Sequence, residues 1–299
     1  MKKDSFLSRL KSSIPAYLFL LPLFLGITIF SYYAAFSGIF HSFFEWSNDG
    51  STKFVGLQNY INLFQDPIFL HSIPAMLKLM LPKLAISIVV PLIMAELIFY
   101  VSSKKMQYWY RIICLLPMVA PSVVGTLVWK YIYDPASGLA VTLARVIGLV
   151  PSTANIDFLG DPALAIPSII FMGFPWIGGT AVLIYMSGLM SISGEVREAS
   201  LLDGCSTIRR IISIDLPLIM GQIRYFLIFG IISCLQDYSV QIILTNGGPG
   251  YTTYVPGYYM FKQAFTFGNM GYASAIGTIL FVVIFLLTVL TMRFLKSKD

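Results

Sequence analysis

The sequence predicts an all-α, polytopic membrane protein with six transmembrane helices and a charged cytoplasmic loop between the fourth and the fifth. Three observations predict it. Of 299 residues, 57% are hydrophobic and only 11% charged, whereas a soluble domain carries about 25% charged residues; lipid is the solvent that suits such a chain. The apolar residues gather into six blocks, each holding the about 20 residues that cross a bilayer core as a helix. Lysine and arginine then favour alternate connections, 13 on one side against 3 on the other, the bias that places basic loops in the cytoplasm.

The blocks run Ile14–Phe36, Ile73–Tyr100, Tyr110–Tyr133, Ala163–Met190, Leu216–Thr245 and Gly271–Leu295. Residues 1–13, MKKDSFLSRLKSS, are a basic start before an apolar run. A signal peptide is the alternative, but the uncharged stretch from Ser12 to Phe44 exceeds a signal core, and YAAFSG makes a poor cleavage site. The run therefore reads as a retained first helix. Lys78 and Lys83 sit near the start of the second block and Glu96 near its end; Arg224 and Asp237 lie in the fifth.

With the N-terminus inside, the inner segments hold Lys2, Lys3, Arg9, Lys11, Lys104, Lys105, Arg111, Arg197, Arg209, Arg210, Arg293, Lys296 and Lys298, and the outer ones only Lys53, Arg145 and Lys262. Both termini are then cytoplasmic, including a tail at 296–299. The outer loops Ser37–Ser72, Asp134–Pro162 and Asn246–Met270 carry the turn signals NDGS, YDPASG and TNGGPG.

Several classes are excluded. The net charge of +6 flanks apolar blocks and reads as a topology signal rather than a nucleic-acid surface. Cys114, Cys205 and Cys234, an odd count without regular spacing, give neither a disulfide framework nor a zinc site. His41 and His71 are far apart and read as loop or interfacial residues. The chain has no G-x-x-x-x-G-K-[ST] phosphate loop, no H-E-x-x-H and no G-x-S-x-G, so an enzyme is not expected, and neither nucleotide nor metal is expected on this chain.

The informative segment is EASLLDGCSTIRRIISIDLP, Glu198–Pro217. Ser193 is placed to cap a helix, with Glu195 in its first turn where negative charge suits the helix dipole. That helix should end near Leu202, with Gly204 as its left-handed terminator. Ser206 is placed to cap a second short helix, and Asp215 to cap the fifth transmembrane helix, with Pro217 in its first turn. Val196, Ala199 and Leu202 share one face. Local physics leaves two readings of this loop, 191–215: a knob for a partner's socket, or an amphipathic helix lying on lipid.

The segment resembles the EAA loop of ABC-transporter permeases: E-A-A, three residues, G, nine residues, I, one residue, L-P. Here the matching residues are Glu198, Ala199, Ser200, Gly204, Ile214, Leu216 and Pro217, with Ser200 replacing the second alanine. GLMSISGEVREASLLDG resembles the lead-in to this loop in carbohydrate permeases. LPMVAPSVVGTLVWKYIYDPASGLA resembles their third helix and the loop after it. LTNGGPGYTT resembles a segment of the first of two paired sugar permeases, of the maltose and glycerol-phosphate type.

The resemblance implies that Glu198, Ala199, Ser200, Asp203, Gly204, Ile214, Leu216 and Pro217 couple the permease to a cytoplasmic ATPase. It also implies the partners: a second permease that is a different chain, two ATPase subunits binding ATP and Mg, an external solute-binding protein, and a carbohydrate, an oligosaccharide, as cargo. The setting is a bacterial-type inner membrane and the mechanism alternating access. A self-contained secondary transporter would instead call for an inverted repeat and acidic sites deep in the spans; no repeat is visible.

In the fifth block Cys234, Tyr238, Gln241 and Thr245 recur at helical steps, and Asp237 lies four residues before Gln241. Asp237, Tyr238 and Gln241 are the candidates for a sugar pathway; the alternative is hydrogen bonding between helices. Glu96 and Arg224 are expected to snorkel or pair at the inner interface. Aromatics such as Tyr108, Trp109, Tyr110, Trp129 and Tyr131 fit an interfacial belt.

Overall fold

The computed structural model describes residues 6–148, 151 and 155–294, with side chains from residue 14 onward. Lys2, Lys3, Leu295, Lys296, Lys298 and both proposed terminal tails lie wholly or partly outside that description. The chain forms two compact units, Met1–Leu63 with Met260–Thr278, and Phe64–Tyr259 with Ile279–Asp299.

In the first unit, α1 (Phe6–Ile27) passes through a π-helical stretch, Thr28–Tyr33, into α2 (Ala34–His41). From Ile14 to His41 this is one span, with 0% of its most apolar window buried. A two-stranded hairpin follows, β1 (Phe44–Trp46) and β2 (Thr52–Phe54), pairing Phe44 with Phe54 and Glu45 with Lys53. Its turn is the NDGS signal: the Asp49 carboxylate accepts from the Ser51 amide (2.9 Å) and hydroxyl (2.6 Å), bonds that hold this carboxyl below the usual carboxylate range. Asn59, in α3 (Gln58–Gln65), fixes the hairpin by donating to the Ser42 and Phe44 carbonyls at 2.8 and 2.9 Å.

The second unit is built on α4 (Pro67–Phe99). Asp66 caps it by accepting from the amides of Ile68 and Phe69, and Pro67 occupies its first turn. Its 33 residues extend about 50 Å at 1.5 Å per residue, through Pro74, Pro82 and Pro91 without interruption. Next come α5 (Lys104–Leu115), a 3₁₀ turn (Leu116–Val119) and α6 (Ser122–Ile132), the two arms bent by 85°. The YDPASG turn is organised by Asp134, which accepts from the Ala136 and Ser137 amides and leads to α7 (Leu139–Val146).

Then follow α8 (Ala165–Phe171), α9 (Gly179–Ser191), α10 (Gly194–Leu202), α11 (Thr207–Arg210), a π turn (Ile211–Asp215), α12 (Leu216–Leu218), α13 (Met220–Gln236), α14 (Ser239–Leu244) and α15 (Pro256–Phe261). α16 (Met270–Phe294) ends the described chain. A core of Ala95, Ile98, Val182, Tyr185, Met186, Leu189 and Ile219 joins α4, α9 and the start of α13. Small residues permit the approach, as in membrane bundles generally: a Cβ on Gly188 would stand 2.9 Å from the Gln222 amide and 3.1 Å from Ile219, and one on Gly230 would strike Leu84.

The expected uniform spans need correction. Among the described residues, three helices are continuous and apolar enough to cross a membrane, Ile14–His41, Pro67–Phe99 and Met270–Phe294. The third block is the bent α5–α6 pair. The fourth is split into α8 and α9 by the irregular stretch 172–178, where Trp176 adopts φ +57°. The fifth is bent by 70° at Ile219, between α11–α12 and α13, and ends at Gln236 rather than Thr245. Apolar composition marks membrane residence but not the places where the backbone turns.

Candidate functional site

The loop after α9 folds through its own polar side chains. The Ser193 hydroxyl accepts from the Val196 amide (3.4 Å) and starts α10, with Glu195 in the first turn. The helix closes in a Schellman motif: the Cys205 amide donates to the Ser200 carbonyl (3.0 Å) and the Gly204 amide to that of Leu201 (3.1 Å). Gly204 takes φ +68°, and a Cβ there would meet nothing within 4 Å. Ser206 then caps α11 by accepting from the Arg209 amide (3.4 Å).

Glu198, Ala199, Leu202, Asp203 and Gly204 form an exposed face, Leu202 being 89% exposed. Ser200 faces the other way, 5% exposed, with its hydroxyl donating to the Arg197 carbonyl (2.7 Å). Leu216 packs against the core, Ile214 is half-buried and Pro217 is exposed.

Asp215 does not cap the fifth helix. Its backbone is already helical and no amide is left for it to accept from. Instead it is fully buried and accepts a hydrogen bond from the Tyr100 hydroxyl at 2.6 Å. Arg210, also buried, lays its guanidinium over the Tyr100 ring at 4.6 Å. Arg197 covers Phe99 at 4.3 Å and donates to the Leu189 carbonyl. Glu96, expected at the interface, is only 6% exposed, and its carboxylate oxygens meet no donor among the described residues. Asp215, Arg210 and Arg197 are its charged neighbours. The signal in the sequence was Glu96 alone, since a carboxylate in an apolar block is costly and has to be met by another segment.

A second polar feature lies farther along α4. A cavity of about 190 Å³ is lined by Lys83, Ser87, Ser233, Cys234, Asp237, Gln241 and apolar side chains. A neighbouring one of about 290 Å³ shares Lys83, Ser87 and Asp237 and adds Trp176. Lys83 lies within coulombic range of Asp237 and Cys234. Gln241 is 3% exposed and its Oε1 has no donor among the described residues.

The structure therefore brings Asp237 and Gln241 together but not along one helical face. Asp237 is extended (ψ 121°), and its Oδ1 accepts from the Ser239 amide (3.0 Å), so the chain turns and restarts as α14. The turn carries Tyr238 away from the cavity lining to stand beside Gly257. Thr245 joins the Gly-Gly-Pro loop instead, with its hydroxyl 2.7 Å from that of Thr253. Lys83 is the cavity residue that sequence reasoning missed.

A helical membrane subunit with an exposed, self-capped loop and a polar cavity between helices has the form of a transport component, and comparison with known proteins gives its family. Residues 87–298 match the model described as binding-protein-dependent transport system inner membrane component. The probable ABC transporter permease protein YurN of Bacillus subtilis is 31% identical over 288 residues, 96% of this chain and 98% of that one. The diacetylchitobiose uptake system permease protein NgcF of Streptomyces coelicolor is 30% identical over 239 residues, 77% of this chain and 67% of that one. Among solved structures, a bacterial alginate ABC transporter in complex with an alginate pentasaccharide-bound periplasmic protein has a chain with a TM-score of 0.84 and 22% identity, aligned over 98% of this chain and 99% of that one. That likeness establishes a shared fold. The chain belongs to the family of binding-protein-dependent transport system inner membrane components.

Proposed function

We propose that this chain is one of two membrane subunits of an ATP-driven importer that passes a carbohydrate, an oligosaccharide, handed over by an external binding protein. The observation that carries the reading is the exposed face of α10, Glu198 to Gly204, ordered by its own caps and with open space in front of Gly204. Here Glu198, Leu202 and Asp203 are exposed together, the mixed chemistry of a docking knob. In this reading Glu198, Ala199, Ser200, Asp203, Gly204, Ile214, Leu216 and Pro217 couple the chain to the ATPase.

Two cytoplasmic ATPase subunits supply ATP and Mg²⁺ chemistry; this chain performs none. A second, different permease completes the pore. Both termini and the 191–215 loop face the cytoplasm, as the basic bias suggests. The carbohydrate cargo is supported by relatives such as the diacetylchitobiose permease NgcF, and by the chemistry of the cavity. Lys83 offers donors, Asp237 acceptors and Gln241 both, the set that replaces water around sugar hydroxyls. Asp237, Tyr238 and Gln241 remain the pathway residues and Lys83 joins them; Tyr238 stands outside the smaller cavity, beside Gly257.

The test is reconstitution with a second permease, two ATPase subunits and a solute-binding protein of such an importer. Glu198→Lys should insert and assemble yet lose binding-protein-stimulated ATP hydrolysis. Parental hydrolysis in that variant would remove the docking assignment.

A further inference from the structure

We propose that α4 is the shaft through which movement of the loop reaches the cavity, and that Glu96, Tyr100, Arg210 and Asp215 fasten the loop to it. The proposal rests on reading the loop as the coupling element, and adds how that element is tied to the rest of the chain. Glu96, Phe99 and Tyr100 stand at helical steps of three and four around the end of α4, so they share one face. From the loop, α10 brings Arg197 onto Phe99, α11 brings Arg210 onto Tyr100, and the π turn brings Asp215 to the Tyr100 hydroxyl. Three loop segments thus converge on one turn of one helix.

By formal charge the cluster balances, two bases, Arg197 and Arg210, standing near two acids, Glu96 and Asp215. Arg210, Glu96 and Asp215 are all buried. An apolar contact can slide, because one methyl group replaces another. Buried charges cannot: drawing the loop from α4 would strip Glu96 of Arg197 and Arg210, and Asp215 of the Tyr100 hydroxyl, in a setting where bare charge is most costly. The loop and the end of α4 therefore move together.

The same helix carries Lys83 and Ser87 in the wall of both cavities and Pro91 in the wall of one. Glu96 and Lys83 are thirteen residues apart in the sequence, about 20 Å along an α-helix. One continuous element thus holds the fastening at one end and the cavity cation nearer its middle.

The test asks whether loop and helix move as one. Spin labels are placed at Ile93, exposed on α4, and Ile208, exposed on α11, after replacement of the three natural cysteines. A third label sits on the ATPase subunit. Distances are measured in the assembled complex with and without ATP and vanadate.

In the parent, the distance from Ile208 to the ATPase label should change while the Ile93–Ile208 distance stays constant. In Tyr100→Phe and Glu96→Gln, the Ile93–Ile208 distance should shift with nucleotide by about 5 Å, one helical turn. Glu96→Gln combined with Arg210→Gln restores charge balance and should shrink that shift at least twofold.

A constant Ile93–Ile208 distance in both single variants overturns the proposal, as does a double variant no better than Glu96→Gln. Failure of both single variants to co-purify with the ATPase overturns it too, by making the cluster a requirement of assembly. A parent in which the ATPase distance ignores nucleotide refutes instead the coupling reading beneath it.

Discussion

Gly204 separates what the loop costs to fold from what it does once folded. It sits at φ +68° as the closing residue of the Schellman motif, and a Cβ there would touch nothing within 4 Å. Within this chain a side chain at 204 is therefore penalised only by the left-handed backbone, about 1–2 kcal/mol. Since 1.4 kcal/mol is a factor of ten in an equilibrium, Gly204→Ala should lower the closed-to-open ratio of the loop by about 5- to 30-fold. Gly204→Asn should do less, because asparagine tolerates this region. Gly204→Asp carries no more strain than alanine, since aspartate also tolerates this region, but it projects a charge outward, into the space a docked partner would fill. Its binding-protein-stimulated ATP hydrolysis should fall by at least a further factor of about ten, while insertion and thermal stability in detergent match Gly204→Ala; the excess corresponds to about 1.4 kcal/mol at the interface. The assay is hydrolysis by the reconstituted complex at equal subunit content. If the alanine and aspartate variants were equally impaired, strain alone would explain the glycine. If aspartate behaved as the parent, the surface would not be a docking surface.

Ser200 should follow the opposite rule, since it is buried: Ser200→Ala should couple normally, whereas Ser200→Leu should overpack and destabilise the chain by about 1–3 kcal/mol, read as lower thermal stability. Gln241→Leu should slow uptake or alter which sugars pass in a panel of oligosaccharides, at unchanged assembly; parental transport across the panel would make Gln241 a packing residue. Lys83→Met should impair transport more than Lys83→Met with Asp237→Asn, because the single change leaves Asp237 without its cation; equal loss in both would argue against a working pair. For topology, an impermeant thiol reagent applied to intact cells should label a cysteine at Ser51 and not one at Ser206, in a background lacking the natural cysteines. The reverse pattern would invert the orientation.

The caps of the loop were legible because the signals that set them are local. Ser193, Gly204 and Ser206 act on amides and carbonyls within a few residues, and the sequence places them at the required spacing. The breaks in the apolar blocks were not legible, although two of them, at 116–121 and 172–178, hold a proline. Pro74, Pro82 and Pro91 lie inside α4 and leave it continuous, whereas Pro117 and Pro175 fall where the helix tightens or stops. Proline removes one amide and crowds the preceding turn, but whether the helix bends or breaks depends on which neighbours satisfy the freed carbonyl. That is tertiary information. The same reasoning explains Asp237, which ends α13 by bonding forward to the Ser239 amide and so rotates Tyr238 out of the face that its spacing implied.

The charges inside the apolar blocks locate the working parts better than polar periodicity does. A hydroxyl or amide in a span can satisfy itself on a nearby carbonyl, as Ser72 does on Phe69 and Thr278 on Ser274, so its presence says little. A charge has no such outlet and has to find a partner, another charge or a wet cavity. On α4 the two deeply placed charges are not spread at random. Lys83 stands in the cavity wall near Asp237, and Glu96 stands under the loop with Arg197, Arg210 and Asp215. Both partners come from distant parts of the sequence, so neither pairing was visible in it. Yet an apolar helix that retains Lys83 and Glu96 well inside its length already states that two other segments must come to meet it, and those two meetings are the cavity and the foot of the loop.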